Sequence, residues 1–248
     1  MPNIKAVIFD LGNTLLYFDG EWPQVFAQAD QNLTLLLQEH GLDLDRDEFI
    51  REFRGRLNAY YQQREAEFIE RTTAYVLTKT LTEFGHSDVP KSLVRAALEG
   101  MYGVSQAHWQ PEEDAPAALE ALKQAGYPLG IVSNAGDDAD VQRLVDQSGL
   151  RPYFDFVLSS AACGIRKPNP KIFEIALKYW GLGAEHAAMV GDKLGADILG
   201  AHNAGMLGIW ITRRADIPSN RDHAETIHPD ATAASLTEIP SLIEALNS

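Results

Sequence analysis

Four apolar runs in this chain each lead into a polar cluster, and that recurrence constrains the fold more than any other feature. Val7-Ile8-Phe9 ends at Asp10-Leu11-Gly12-Asn13-Thr14, and Leu129-Gly130-Ile131-Val132 runs into Ser133-Asn134. Phe156-Val157-Leu158 leads through a short loop to Arg166-Lys167-Pro168, while Ala187-Ala188-Met189-Val190 stops at Gly191-Asp192. A run of Val, Ile and Phe bounded by turn residues suits a strand covered on both faces. Each run is followed by a helical pattern, and strand alternating with helix points to a parallel sheet with right-handed crossovers. Such sheets bind ligands beyond the carboxyl ends of their strands, so the polar clusters are expected to share one rim. Taken singly, Asp10 and Asn13 could equally begin a turn. Repetition decides for a site.

The rim would hold a carboxylate (Asp10), a hydroxyl with an amide (Ser133 and Asn134), a lysine (Lys167) and a second acidic cluster (Asp192 and Asp197). Oxygen donors alone suit a hard cation, and magnesium typically bridges one or two carboxylates, waters and a substrate phosphate. Asn169 and Pro170 read as the N-cap and first position of a helix carrying Ile172, Phe173, Ala176, Leu177 and Trp180. That puts Lys167 just ahead of a helix N-terminus, where anions are favoured. A divalent cation and a phosphoryl group match this set.

From Trp22 the spacing turns helical. Val25, Phe26, Ala29, Leu33, Leu36 and Leu37 fall at threes and fours before Gly41. Asp45 with Glu48 resembles a capping box ahead of Phe49, Phe53, Leu57, Tyr60 and Tyr61. Ile69, Val76, Leu77, Leu81 and Phe84 mark a third stripe, and Pro90 starts a fourth with Leu93, Val94, Ala97, Leu98 and Met101. No strand-like run interrupts Asp19 to Tyr102, so these stripes are expected to bury one another in a helical subdomain.

On Asp10 and Thr14, Ser133, Lys167, and Gly191-Asp192 with Asp197, the chain resembles a haloacid dehalogenase superfamily hydrolase of the type with a helical cap inserted after the first strand. The likeness spans nearly the whole chain. It implies an α/β fold, with a Rossmann-like doubly wound parallel sheet core over residues 1–18 and 103–248 and an inserted α-helical cap over 19–102. It also implies that Asp10 attacks phosphorus to give an aspartyl phosphate. Ser133 and the amide of Asn134 would hold phosphoryl oxygens, Lys167 would neutralise charge on nucleophile and phosphate, and Thr14 belongs to the same catalytic set. Magnesium is the implied cofactor, held by Asp10, Asp192 and the main-chain carbonyl of Gly12, with Asp197 supporting them. A small phosphorylated metabolite is the implied substrate.

One position departs from the family pattern, because Gly12 stands where a second aspartate protonates the leaving oxygen and activates water. General acid-base catalysis contributes about 10² to 10⁴-fold, so its loss implies a slower enzyme unless another group, for which Asp19 is the candidate, takes over. The same departure leaves two other readings. One is a carbon-halogen hydrolase, which uses an aspartate nucleophile without the second aspartate but has no need of Asp192 for a metal. The other is a non-catalytic protein that binds phosphate and metal.

A formal charge of -14 with no Lys/Arg-rich run argues against nucleic acid as a partner. The single cysteine, Cys163, permits no intrachain disulfide and reads as a small packing residue, while the seven histidines show no metal-ligand spacing. The first strand opens at once, leaving no room for a signal peptide, and no apolar stretch reaches the roughly 20 residues of a membrane helix. A cytoplasmic protein is expected. Asp137, Asp138 and Asp140 read as acidic residues favoured by a helix dipole, and Arg213 and Arg214 as exposed arginines.

Overall fold

The computed structural model describes residues 3–248, apart from the side chains of Glu65 and Ala66. The chain divides into two compact units: one runs through Phe18 and resumes at Gln110, and the other spans Asp19–Trp109. Among the described residues no helix is long and apolar enough to cross a membrane.

The chain opens with β1 (Ala6–Phe9) and β2 (Leu16–Phe18), and then enters the helical unit of α1 (Trp22–Glu39), α2 (Arg46–Glu67), α3 (Thr73–Glu83) and α4 (Lys91–Gln106). Local signals set the helix ends. The Asp45 carboxylate accepts from the Glu48 amide at 2.8 Å to start α2, and the Thr72 hydroxyl accepts from the Tyr75 amide at 3.1 Å to start α3. Each helix turns one stripe inward. Leu33 and Leu37, Phe49 and Phe53, Leu77 and Leu81, and Ala97 and Leu98 form one core belonging to this unit. Four residues assigned to the stripes, Val25, Phe26, Tyr61 and Ile69, lie outside it. Ile69 precedes α3 and is half exposed, while Tyr61 carries the Arg64 guanidinium 4.0 Å above its ring. Helix α4 continues past Tyr102 to Gln106 before the unit ends at Trp109.

The helical unit also holds a part-buried ion pair. Arg54 Nε donates to both oxygens of Asp30 at 2.8 and 2.7 Å, and its Cζ lies 4.7 Å from the centre of the Phe26 ring. These three side chains, with Ile50 and Tyr61, line a cavity of about 590 Å³.

The second passage of the α/β unit comprises β3 (Trp109–Pro111), which pairs with β2, then α5 (Ala115–Gln124), β4 (Leu129–Ser133), α6 (Asp138–Gln147) and β5 (Phe156–Ser159). It continues with α7 (Ser160–Cys163), α8 (Lys171–Leu177), β6 (Ala187–Gly191), α9 (Leu199–Ala204), β7 (Leu207–Ile211), α10 (Pro218–Arg221), β8 (Ala231–Ala233) and α11 (Ile239–Asn247). The sheet order is β5-β4-β1-β6-β7-β8, and every neighbouring pair is parallel. This is the α/β, doubly wound parallel sheet expected from the four apolar runs. Every residue of β1, β4 and β6 is buried, which is why those runs are continuous rather than alternating. Ile8, Val132 and Met189 share a core with Ile172, Phe173 and Ala176 of α8 and Ala201 of α9.

Connections from β1 lead outward through β4 to β5, and those from β6 lead the opposite way to β7 and β8. The direction reverses between β1 and β6, where open sheets of this type form a crevice. Register brings the polar residues level with it. Phe9 lies opposite both Ile131 and Val190, so Asp10, Ser133 and Asp192 all fall within two positions of that line.

Candidate active site

Asp10 is the first residue beyond β1. Its amide still donates to the Val190 carbonyl at 2.9 Å, which holds the backbone against β6 while the carboxylate stands past the strand end. The loop then folds back, with the amides of Leu15 and Leu16 both donating to the Leu11 carbonyl at 2.9 Å. Asn13 takes φ 61°, a left-handed conformation that asparagine tolerates better than most residues. Gly12 is half-buried and forms a bridge with Leu16. Thr14 is buried in the same loop, and its hydroxyl has no hydrogen-bond partner among the described residues.

Lys167 reaches this strand end from the loop before α8, and Asn134 fixes it there. The Asn134 side-chain amide donates to the Lys167 carbonyl and accepts from the Lys167 amide, each at 2.9 Å. Lys167 Nζ then lies 2.6 Å from Asp10 Oδ1, 2.6 Å from Asp197 Oδ1 and 2.7 Å from the Val132 carbonyl. Burial alone would lower the ammonium's pKa, but the carboxylates of Asp10 and Asp197 outweigh it and hold the group above the ordinary lysine range. Ser133, at the end of β4, is buried and lies in register with Ser159.

The acidic cluster depends on Gly191. A Cβ there would come within 2.3 Å of Asp197 Cγ, so a side chain would displace the carboxylate. Asp197 is brought back to the strand end by a π-turn, Leu194–Ile198, in which its amide donates to the Lys193 carbonyl at 2.8 Å. The Lys193 amide returns a bond to Asp197 Oδ2 at 2.9 Å.

Asp192 has no solvent exposure, and among the described residues neither carboxylate oxygen has a hydrogen-bond partner. Burial, then the charges of Asp10 and Asp197, push its pKa up to about 8. Asp10, Asp192 and Asp197 offer carboxylate oxygens that all lie within 4.8 Å of one another. An ionised carboxylate buried without partners is costly, and oxygen donors converging from two chain segments are what a hard divalent cation binds. This donor set therefore fits magnesium.

Residues 4–205 match the family model of the haloacid dehalogenase-like hydrolases. The chain is a haloacid dehalogenase-like hydrolase. The hydrolase is 32% identical over 244 residues to a glyceraldehyde 3-phosphate phosphatase of Methanothermobacter thermautotrophicus, covering 98% of this chain and 100% of that one. Among solved structures it resembles a HAD phosphatase from Thermococcus onnurineus, with 27% identity, a TM-score of 0.62, and coverage of 97% of this chain and 98% of that one. It also resembles a 2-haloacid dehalogenase from Pseudomonas syringae pv. Tomato, with 26% identity, a TM-score of 0.69, and coverage of 98% and 99%.

Of the residues singled out in the sequence, the structure of the hydrolase brings Asp10, Lys167, Asp192 and Asp197 into one buried group. Asp19 lies exposed in the helical unit. The Asn134 side chain holds the Lys167 peptide, so any contact with a phosphoryl oxygen falls to its main-chain amide. Arg213 is held at 2.7 Å by Asp114 and 2.9 Å by Glu112, and Arg214 pairs with Glu112. Helix α8 begins at Lys171, with Pro170 in the capping position, one residue later than its sequence pattern suggests.

Two residues that hold the site have no counterpart in the sequence reading. Trp210 Nε1 and Asn220 Nδ2 both donate to the main-chain carbonyl of Asp192, at 2.9 and 2.8 Å. Their partner is a peptide oxygen, which leaves no side-chain pattern to find.

Proposed function

We propose that this hydrolase is a magnesium-dependent phosphatase of small phosphorylated metabolites, working through an aspartyl phosphate on Asp10. The observation that carries the reading is Asp192, a buried carboxylate without partners beside the Asp10–Lys167 pair. The phosphatase names of relatives matching nearly the full chain support it as well. Asp10 and Asp192, with the Gly12 carbonyl and with Asp197 behind them, would hold magnesium, which when bound supplies positive charge for the phosphoryl oxygens.

In the first step a carboxylate oxygen of Asp10 forms a bond to phosphorus as the bond to the ester oxygen breaks, and the departing oxygen takes a proton from solvent water. In the second, water attacks phosphorus, the bond to Asp10 breaks, and phosphate leaves with the carboxylate restored. Lys167 orients Asp10 and neutralises charge on the phosphoryl oxygens, while Ser133 and the Asn134 main-chain amide donate to them. In this reading the α/β unit performs the reaction.

Gly12 sets the substrate class. With no carboxylate at that position, the first barrier should rise with the basicity of the leaving oxygen, so acyl, aryl and anomeric sugar phosphates should react faster than alkyl phosphates such as glyceraldehyde 3-phosphate. A panel graded by leaving-group pKa, assayed with and without magnesium, tests this directly. Gly12→Asp should speed alkyl phosphates by up to about 10² to 10⁴-fold and flatten the dependence. Absence of magnesium-dependent turnover across the panel would reject the phosphatase reading.

The glycine and the likeness to a 2-haloacid dehalogenase favour one second reading, displacement of halide from carbon by Asp10. Halide release from a 2-haloacid that persists in chelator would select it.

A further inference from the structure

Asp192 is held by its backbone, not its side chain, and the residue that does most of this lies outside every motif discussed above. Asn220 is 3% exposed and uses both ends of its amide. Nδ2 donates to the carbonyls of Asp192 at 2.8 Å and Ala215 at 2.9 Å, while Oδ1 accepts from the Leu194 amide at 2.9 Å. One planar group thus grips the chain on both sides of Lys193. An aspartate would keep the acceptor and lose the donors, and a leucine would lose both.

The following residues extend the grip. The His223 ring covers Gly195 so closely that a Cβ there would lie 2.8 Å from it, and Ile227 packs on Leu194 and Ile198. The stretch from Asn220 to Ile227 therefore backs the same π-turn that carries Asp197. Two acidic residues that face Asp10 are supported from behind by one short segment.

We propose that Asn220 is a positioning residue for the cation site, fixing the peptides around Asp192 so that the three carboxyl groups stay convergent before a cation arrives. The inference rests on the magnesium reading of the site. Without the amide, Asp192 is free to swing away from Asp10 and Asp197, and part of the binding free energy must go into drawing it back. Trp210, which donates to the same carbonyl, makes a smaller contribution because Asn220 still holds the chain on both sides of Lys193.

The test is calorimetric titration of magnesium into the whole protein and its Asn220→Ala and Trp210→Phe variants. Each titration is run well below that variant's melting temperature, with thermal unfolding in chelator recorded in parallel. Asn220→Ala should weaken magnesium about 10 to 100-fold, the range found when groups supporting metal ligands are removed, and Trp210→Phe should weaken it less. A residue that only stabilised the fold would lower the melting temperature and leave the affinity in place, so unchanged magnesium affinity in folded Asn220→Ala overturns the proposal. If Asn220→Ala does not fold, Trp210→Phe decides: weaker magnesium binding sustains the proposal and unchanged binding overturns it. Failure of the parent protein to bind magnesium would remove the cation reading itself, which is a different outcome from a parent that binds and variants that do not shift.

Discussion

Asp30 in the helical unit and Asp192 in the α/β unit are both buried carboxylates, and the chain treats them in opposite ways. Asp30 is closed off by Arg54, which reaches both of its oxygens and rests on Phe26. Asp192 has no donor on either oxygen and faces two more carboxylates. A buried charge matched within the fold offers little to a ligand, whereas one left unmatched among like charges is a standing demand for a cation. A cavity of about 590 Å³ lies beside Asp30, but the proposed chemistry lies with Asp192. Unpartnered charge, not the presence of a cavity, points to the site.

The comparison breaks first at Asp10. Asp10→Asn should reduce turnover by at least about 10⁴-fold, because it removes the proposed carboxylate nucleophile, while circular dichroism shows an unchanged fold. Activity well above that residue would place the nucleophile elsewhere.

Asp192→Asn should weaken magnesium binding, and its sharper signature is in stability. The carboxyl is pushed up to about 8 in the folded chain from the ordinary aspartate value of 3.8. Between those values the folded, metal-free chain keeps a proton that the unfolded chain has released, so raising pH through this window destabilises it, by up to ~1.4 kcal/mol per pH unit, with a plateau above. Asp197, also raised by burial, adds to the slope. Denaturant midpoints in chelator should therefore fall from pH 5 to pH 8, fall less steeply in Asp192→Asn, and recover when magnesium is added. A parent protein whose midpoint is flat across that range would contradict the unmatched charge.

Arg54→Met supplies the smallest effect and the control. It leaves Asp30 without its partner and should cost about 2 kcal/mol in chemical denaturation, with no change in magnesium affinity measured on the folded variant. Altered affinity would mean that the two carboxylates are not independent.

The sequence announces those parts of the site in which a side chain has an unusual neighbourhood. Asp10, Lys167 and Asp192 each follow an apolar strand or its loop, and continuous burial of β1, β4 and β6 made those strands legible. Asp45 was legible too, because its cap is a local bond to Glu48. Strand β8, Ala231–Ala233, and the β2–β3 pair were not, since strands of three residues carry too little periodicity to stand out. Asn220 and Trp210 escaped for a different reason: each acts on a carbonyl that any residue would provide, across a distance in sequence that only the fold closes. Gly12 was visible as a departure, but its conformation was not, and the positive φ of the loop falls on Asn13.

The pairing of β2 with β3 has a bearing on how the sheet assembles. The central strand must find β4 across the whole helical unit, and closing so long a loop is entropically costly and slows folding. The helical unit, however, has a core of its own, and the chain enters and leaves it through two strands that zip together. Once that pair forms, the kinetic distance from β1 to β4 no longer includes the insertion. The sheet can then nucleate as though β1 and β4 were near neighbours in sequence, whatever the length of the insert.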